Sequence, residues 1–167
     1  MDKRLGILEK DGLYIVGVFT DRGLFSTYLP IKSKNDAISH VNGSGLPLST
    51  ESEDCKVLEV VYEIFQSHNN VDQSKIKLDL SGFTDKQRKV IEATLSIPRG
   101  RVITYADLAK KAGLPGAARF VGNVMASNRL APVVPCHRVV SSNGFGGYGP
   151  GIDVKIAFLK REGAIAD

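Results

Sequence analysis

At Gly82 the chain changes texture, and that change limits the folds open to it. Before it, apolar residues sit in short runs broken by turn residues; after it, they recur every three or four positions between caps and glycine stops. GLYIVGVF and GLFSTYL, between Gly12 and Leu29, flank Thr20-Asp21-Arg22 as the arms of a β-hairpin. The polar stretch 32–52 reads as loop, Cys55, Leu58, Tyr62 and Phe65 recur at helical spacing, and residues 75–80 alternate as a short strand. Beyond Gly82, Thr84 and Gln87 form a capping box ahead of Val90, Ile91 and Leu95, and Pro98 and Gly100 stop that helix. Thr104 can cap a second helix over 105–112, ended by Gly113-Leu114-Pro115-Gly116, and a third should run over about 117–128. Two short helices across a glycine-containing turn suit a helix-turn-helix and ordinary helical packing equally. The expectation is a mixed α/β (α+β) chain of two small domains, 1–82 and 83–167.

Charge divides along almost the same line. Up to Phe83 there are 9 Lys/Arg against 12 Asp/Glu, a balance of −3; from Thr84 onward there are 13 against 6, a balance of +7. The basic second half fits a polyanionic partner, and also a merely solvated charged face. Two cysteines 81 positions apart make no disulfide framework, and no set of four close Cys and His residues suits structural zinc, so neither metal nor cofactor is expected. Charges every few residues in MDKRLGILEKDGLYIVGVF speak against a signal peptide or membrane span. A soluble protein of a reduced, cytoplasmic compartment is the expectation.

The third helix places Ala118, Gly122 and Ala126 on one stripe, with Arg119 beside it. A glycine inside a helix costs about 1 kcal/mol relative to alanine, so close backbone approach is implied, to a neighbouring helix or to a nucleic-acid groove. Further on, PVVPCHRVV sets Cys136 between valine pairs, with His137 and Arg138 directly after it. Buried cysteine is the commonest reading of such a context; neighbouring cations and a base make a reactive thiolate the other. On a regular strand His137 would point away from Cys136, so either the chain turns there or a water connects the two, and an acid from elsewhere would orient the histidine. The glycines of SSNGFGGYGPG match a dinucleotide fingerprint only literally, because Pro150 and Gly151 stand where its helix should begin. They read as flexible loop, or as a pocket wall open to a flat ligand with Tyr148 at hand. Cys55 is expected on the packed face of its helix, and His40 and His68 at the surface.

With these segments set out, the chain resembles the O6-alkylguanine-DNA alkyltransferases, or methylated-DNA–protein-cysteine methyltransferases. FTDKQRKVIEATLSIPRGRVITYADLA, AARFVGNVMASN, PCHRVV, the glycine-rich loop with Tyr148 and VKIAFLKREG carry the likeness; the first half shares it only in outline. The resemblance implies a ribonuclease H-like N-terminal domain with an antiparallel sheet, and a C-terminal domain with a winged helix-turn-helix. It implies irreversible, one-to-one transfer of an alkyl group from O6 of guanine, less well from O4 of thymine, to Cys136. His137 then corresponds to the base acting through a water, Glu162 to the acid that orients it, and Asn128 to the hinge asparagine. Arg119 corresponds to the arginine finger that replaces a flipped base, with Ala118, Gly122 and Arg138 also at the DNA. Tyr105 corresponds to the tyrosine that turns the target phosphate and protonates departing guanine, and the backbone of Val139, with Tyr148, Gly149 and Tyr105, to the base pocket. The implied partner is double-stranded DNA carrying O6-alkylguanine, met by a monomer without membrane or cofactor, cytoplasmic at the nucleoid, or nuclear in a eukaryote. Arg129 follows Asn128 where the family commonly has proline, and Gly149 stands where serine is frequent. Rival classes are a non-catalytic alkylated-DNA lesion-binding protein and a cysteine-histidine hydrolase or redox protein.

Overall fold

The computed structural model describes residues 1–68 and 70–167. They form two compact units: Met1–Ser81 with Arg129–Val133, and Gly82–Asn128 with Val134–Asp167. The segment 129–133, which falls in the second half by sequence, therefore groups with the first unit.

In the first unit, β1 (Arg4–Lys10), β2 (Leu13–Thr20) and β3 (Gly23–Thr27) form an antiparallel sheet in that order. The expected hairpin is β2–β3, turning at Asp21 and Arg22. Strand β1 went unread, although Asp11-Gly12 carries it into β2 with φ of 53° and 75°, the left-handed pair that an Asp-Gly turn favours. On one face Leu5, Val16 and Val18 pack with Ala37 and Val41 of α1 (Lys34–His40) and its C-cap. That helix lies inside the stretch read as loop; Ser33 caps it by accepting from Asp36 N at 3.2 Å.

On the other face, α2 (Ser52–Gln66) comes close because Gly6 and Gly17 oppose each other across β1 and β2. A Cβ on Gly17 would stand 2.9 Å from Leu24 and 3.1 Å from Leu58. The buried stripe of α2 is Asp54, Leu58, Val61, Tyr62 and Ile64: Leu58, Val61 and Tyr62 are packed as expected, but at the ends Asp54 and Ile64 are buried in place of Cys55 and Phe65, and Cys55 is exposed. Asp54 tolerates burial because Arg4 grips it with two bonds of 2.6 and 2.9 Å and Ser49 donates a third at 2.6 Å. Residues 75–80 form no strand: a 3₁₀ turn over Gln73–Lys75 leads to a single bridge, Leu24 with Leu78. Arg129 closes this unit, donating to the carbonyls of Phe25 (2.6 Å), Asp79 (2.9 Å) and Ser81 (2.8 Å) with its guanidinium over the Phe25 ring.

The second unit is mostly helical. Helix α3 (Asp85–Leu95) starts with the expected capping box: Gln87 N donates to Thr84 Oγ1 at 3.2 Å and Thr84 N to Gln87 Oε1 at 2.8 Å. Helix α4 (Tyr105–Lys111) ends where Gly113 turns left-handed and Leu114 N reaches back to Ala109 O at 2.8 Å. Six residues later α5 (Ala118–Ala126) begins, two residues shorter at its far end than the sequence suggests. These two helices form a helix-turn-helix. Val90, Ile91, Leu108, Val121 and Val124 of these helices are buried, as are Phe158 and Leu159 of α6 (Ile152–Arg161).

Two residue pairs tie this core to the cysteine segment: β4 (Ile103–Thr104) runs parallel to β5 (Val139–Val140). Thr104 does double duty, since its hydroxyl also accepts from Asp107 N at 3.1 Å and caps α4 just before Tyr105. Thr104→Ala should therefore lower unfolding stability by about 1 kcal/mol, and Thr104→Ser should retain most of it. Urea titration monitored by circular dichroism checks this, with an unchanged slope showing that only the cap was lost.

Candidate active site

Cys136, His137 and Arg138 form one 3₁₀ turn between Pro135 and β5. Successive side chains on such a turn point about 120° apart, not to opposite faces as on a strand, and all three are buried. The turn resolves the geometric objection that a strand would raise.

Everything in the turn leads to one carboxylate. Glu162, 4% exposed just past the end of α6, accepts from Arg138 Nε on Oε2 (3.0 Å) and from Arg138 Nη2 on Oε1 (2.7 Å), and its Oε1 lies 3.0 Å from His137 Nε2. Burial alone would push this carboxyl upward; the hydrogen bonds and charges of His137 and Arg138 outweigh it and hold it at about 2. The glutamate is thus ionised at any working pH and can only accept, which requires the proton of a neutral His137 to sit on Nε2. Nδ1 is buried and makes no hydrogen bond to the described residues. Burial lowers the histidine, opposed by Glu162 and reinforced by the charges of Arg138 and Lys155, so the resting imidazole is neutral. Arg138, expected at the DNA, is instead 5% exposed and committed to Glu162 and, through Nη1, to Ile97 O at 2.8 Å. A guanidinium buried and held by three bonds inside the protein is not presented to a phosphate.

The thiol is 7% exposed. Burial raises Cys136, and the Asn128 side chain and the charge of Lys155 pull it part of the way back. Asn128 also donates from Nδ2 to Val134 O at 3.0 Å, so one amide serves both the cysteine and the chain leading into it. Lys155 was missed. It is wholly buried, donates to Val139 O (2.6 Å) and Gly147 O (3.0 Å), and is lowered by desolvation to about 8. A signal existed: Lys155, Phe158, Leu159 and Glu162 follow the i, i+3, i+4, i+7 rule, and two charges on the apolar stripe of a helix are unusual.

Cys136 opens into a cavity of about 230 Å³. Tyr105, Gly147, Tyr148 and Gly149 line it together with Gly122, Met125 and Ala126 of α5. Gly146, at φ 73°, must lack a side chain, since a Cβ there would meet Tyr105 Oη at 2.6 Å. Tyr105 is raised by burial, against a hydrogen bond from the Gly147 backbone, and stays a neutral donor. Val139 is not in the lining: it is wholly buried and its carbonyl is taken by Lys155. Ala118 is half-buried and Arg119 exposed at the start of α5, on the helix whose Gly122 faces the cavity.

Residues 85–164 match the family model described as 6-O-methylguanine DNA methyltransferase, DNA binding domain. The methylated-DNA–protein-cysteine methyltransferase of Methanocaldococcus jannaschii is 30% identical over 162 residues, covering 93% of this chain and 92% of that one. The protein of the same description from Thermococcus kodakarensis is 32% identical over 160 residues, covering 95% and 88%. The Mycobacterium tuberculosis OGT crystal structure in complex with DNA superimposes with a TM-score of 0.74 at 26% identity, covering 96% of this chain and 93% of that chain.

The Glu162 cluster makes stability depend on acid. A carboxyl lowered from its unfolded value contributes fully above about pH 4.3, and that contribution is lost as pH falls toward 2. Ionised Glu162 should be worth on the order of 3 kcal/mol at neutral pH. Glu162→Gln, which also leaves Arg138 charged and buried, should lose about 3–5 kcal/mol there. In urea unfolding at stepped pH, the gap between native protein and variant should narrow from pH 5 to pH 2; a constant gap would mean that the glutamate is not held ionised.

Proposed function

Because the chain belongs to the methylated-DNA–protein-cysteine methyltransferase family, we propose that Cys136 is its alkyl acceptor and that the groups packed around it drive the transfer. The protein repairs DNA directly, moving an alkyl group from O6 of guanine to its own cysteine. One observation carries the assignment of residues: a buried thiol opens into a cavity, and the histidine beside it has one nitrogen bound to an ionised carboxylate and the other free to accept.

The steps follow from those groups. A base stacked in a duplex cannot present its O6 substituent to a buried sulfur, so the guanine is extruded into the cavity, at a cost of a few kcal/mol offset by contacts along α5. Arg119, exposed at the start of that helix, fills the gap left in the stack. The Cys136 proton passes to His137 Nδ1 through a water, and Glu162 stabilises the imidazolium that results. Sulfur attacks the alkyl carbon; the S–C bond forms as the C–O6 bond breaks, and Tyr105 donates a proton to the departing guanine. Asn128 and Lys155 temper the charge developing on sulfur, while Tyr148 and Gly149 wall the base. The product is a thioether that no group in the site can reverse, so each chain acts once. Every group named comes from one chain, which fits a monomer acting on duplex DNA in a compartment that keeps thiols reduced. A protein that only binds lesions has no use for a thiol at the mouth of the pocket, so that rival is not favoured.

Two measurements test this reading. After incubation with a duplex carrying one O6-methylguanine, intact-protein mass spectrometry should show one added methylene per molecule, confined to the Cys136 peptide and lost in Cys136→Ser; tight binding with no mass change would leave a lesion-binding module. Gly122→Ala separates DNA contact from folding. Its Cβ would meet nothing within 4 Å beyond the backbone of its own helix and its two chain neighbours, so the helix should gain up to about 1 kcal/mol. Fluorescence anisotropy should nonetheless report weaker DNA binding, because the added methyl stands where a groove wall must come close.

A further inference from the structure

We infer that Phe158 is a positioning residue for the proton acceptor: its ring, stacked on His137, fixes the imidazole plane and favours the imidazolium formed when Cys136 gives up its proton. The inference rests on the reading of His137 as the base.

The two rings lie with centroids 3.8 Å apart and planes inclined by 18°, and neither residue is exposed. Phe158 and Glu162 are four positions apart near the end of α6, so one turn of helix supplies both the support beneath the ring and the acceptor at its Nε2 edge. A hydrogen bond alone leaves an imidazole free to swing about the Nε2 axis. A stacked face removes that freedom and fixes where Nδ1 points.

The ring also acts on charge. From its own turn His137 faces Cys136 and Arg138; from α6 it faces Lys155 and Glu162, with Arg161 placed 5.0 Å from the Phe158 centroid. Burial and the charges of Arg138 and Lys155 oppose protonation, and Glu162 favours it. An aromatic face carries negative potential, so a stacked imidazolium gains a second favourable partner there, in a place too dry for water to compete. A leucine would fill much of the same volume and offer no such face.

The test uses the full chain in two forms: Phe158→Leu, and pentafluorophenylalanine incorporated at position 158, which keeps the ring's shape and reverses its quadrupole. Nitrogen-15 titration of His137 in DNA-free protein should show it losing its proton at lower pH in both. Single-turnover methyl transfer at neutral pH should slow by about tenfold, with the gap closing as pH rises and the thiol ionises unaided. The fluorinated form preserves packing, so it answers the question even if Phe158→Leu does not fold. An unchanged His137 titration in the fluorinated form, whether its rate is native or uniformly reduced at every pH, would show the ring to be packing alone. The titration needs no substrate: a chain that transfers no alkyl group yet shows the shift would overturn the function proposed above, and the positioning role with it, and leave only the hold of the Phe158 ring on the charge of His137.

Discussion

Glu162 is a carboxylate removed from water, and the rest of the site can be understood as the means of keeping it charged. Taking such a group out of solvent costs several kcal/mol unless good hydrogen bonds replace the lost water. Here Arg138 supplies two and His137 a third, and they suffice to hold the carboxyl at about 2. The requirement explains the 3₁₀ turn, which delivers both donors inward beside Cys136. It also explains why Arg138, in a segment that would meet DNA, is spent inside the protein: without it His137 would be the sole partner of a buried anion, and the imidazole would be driven to its charged form before the thiol had lost a proton.

Helix α6 carries the other half of the arrangement. Its buried stripe holds Lys155, Phe158, Leu159 and, at the cap, Glu162, so charges of both signs are set on a face that packing would otherwise fill with aliphatic residues. Lys155 fastens β5 to the glycine-rich loop through two carbonyls and places a positive charge near the sulfur. Burying it without a carboxylate is costly, as its lowering to about 8 records. The loop that Lys155 holds is built from glycines, so Gly147, Tyr148 and Gly149 line the cavity with little bulk besides the tyrosine ring.

Much of this was legible in the sequence, for identifiable reasons. Thr84, Thr104 and the glycines after Lys111 act locally, and the helices they bound fall where they should. The segment around Cys136 stood out because its residues are contiguous. Strand β1 was missed because charges interrupt its alternation, and α1 because it is only seven residues long and its cap, Ser33, lies in a polar tract. Cys55 and Asp54 exchanged places because an ion pair with Arg4, 50 residues away, made the acid the better buried group. Arg138 and Val139 were misread for a similar reason. Their neighbours Glu162 and Lys155 come from α6, and adjacency in sequence says nothing about which contacts a turn will consume.

The tautomer of His137 in the free protein reports most directly on whether the glutamate governs the site. Long-range proton–nitrogen spectroscopy at neutral pH distinguishes the two ring nitrogens. A proton on Nε2 with Nδ1 bare is the state that ionised Glu162 imposes, and it leaves Nδ1 able to receive the proton of Cys136. A proton found on Nδ1 would mean that Glu162 does not hold the ring, and the proton path assigned to Cys136 would have no acceptor.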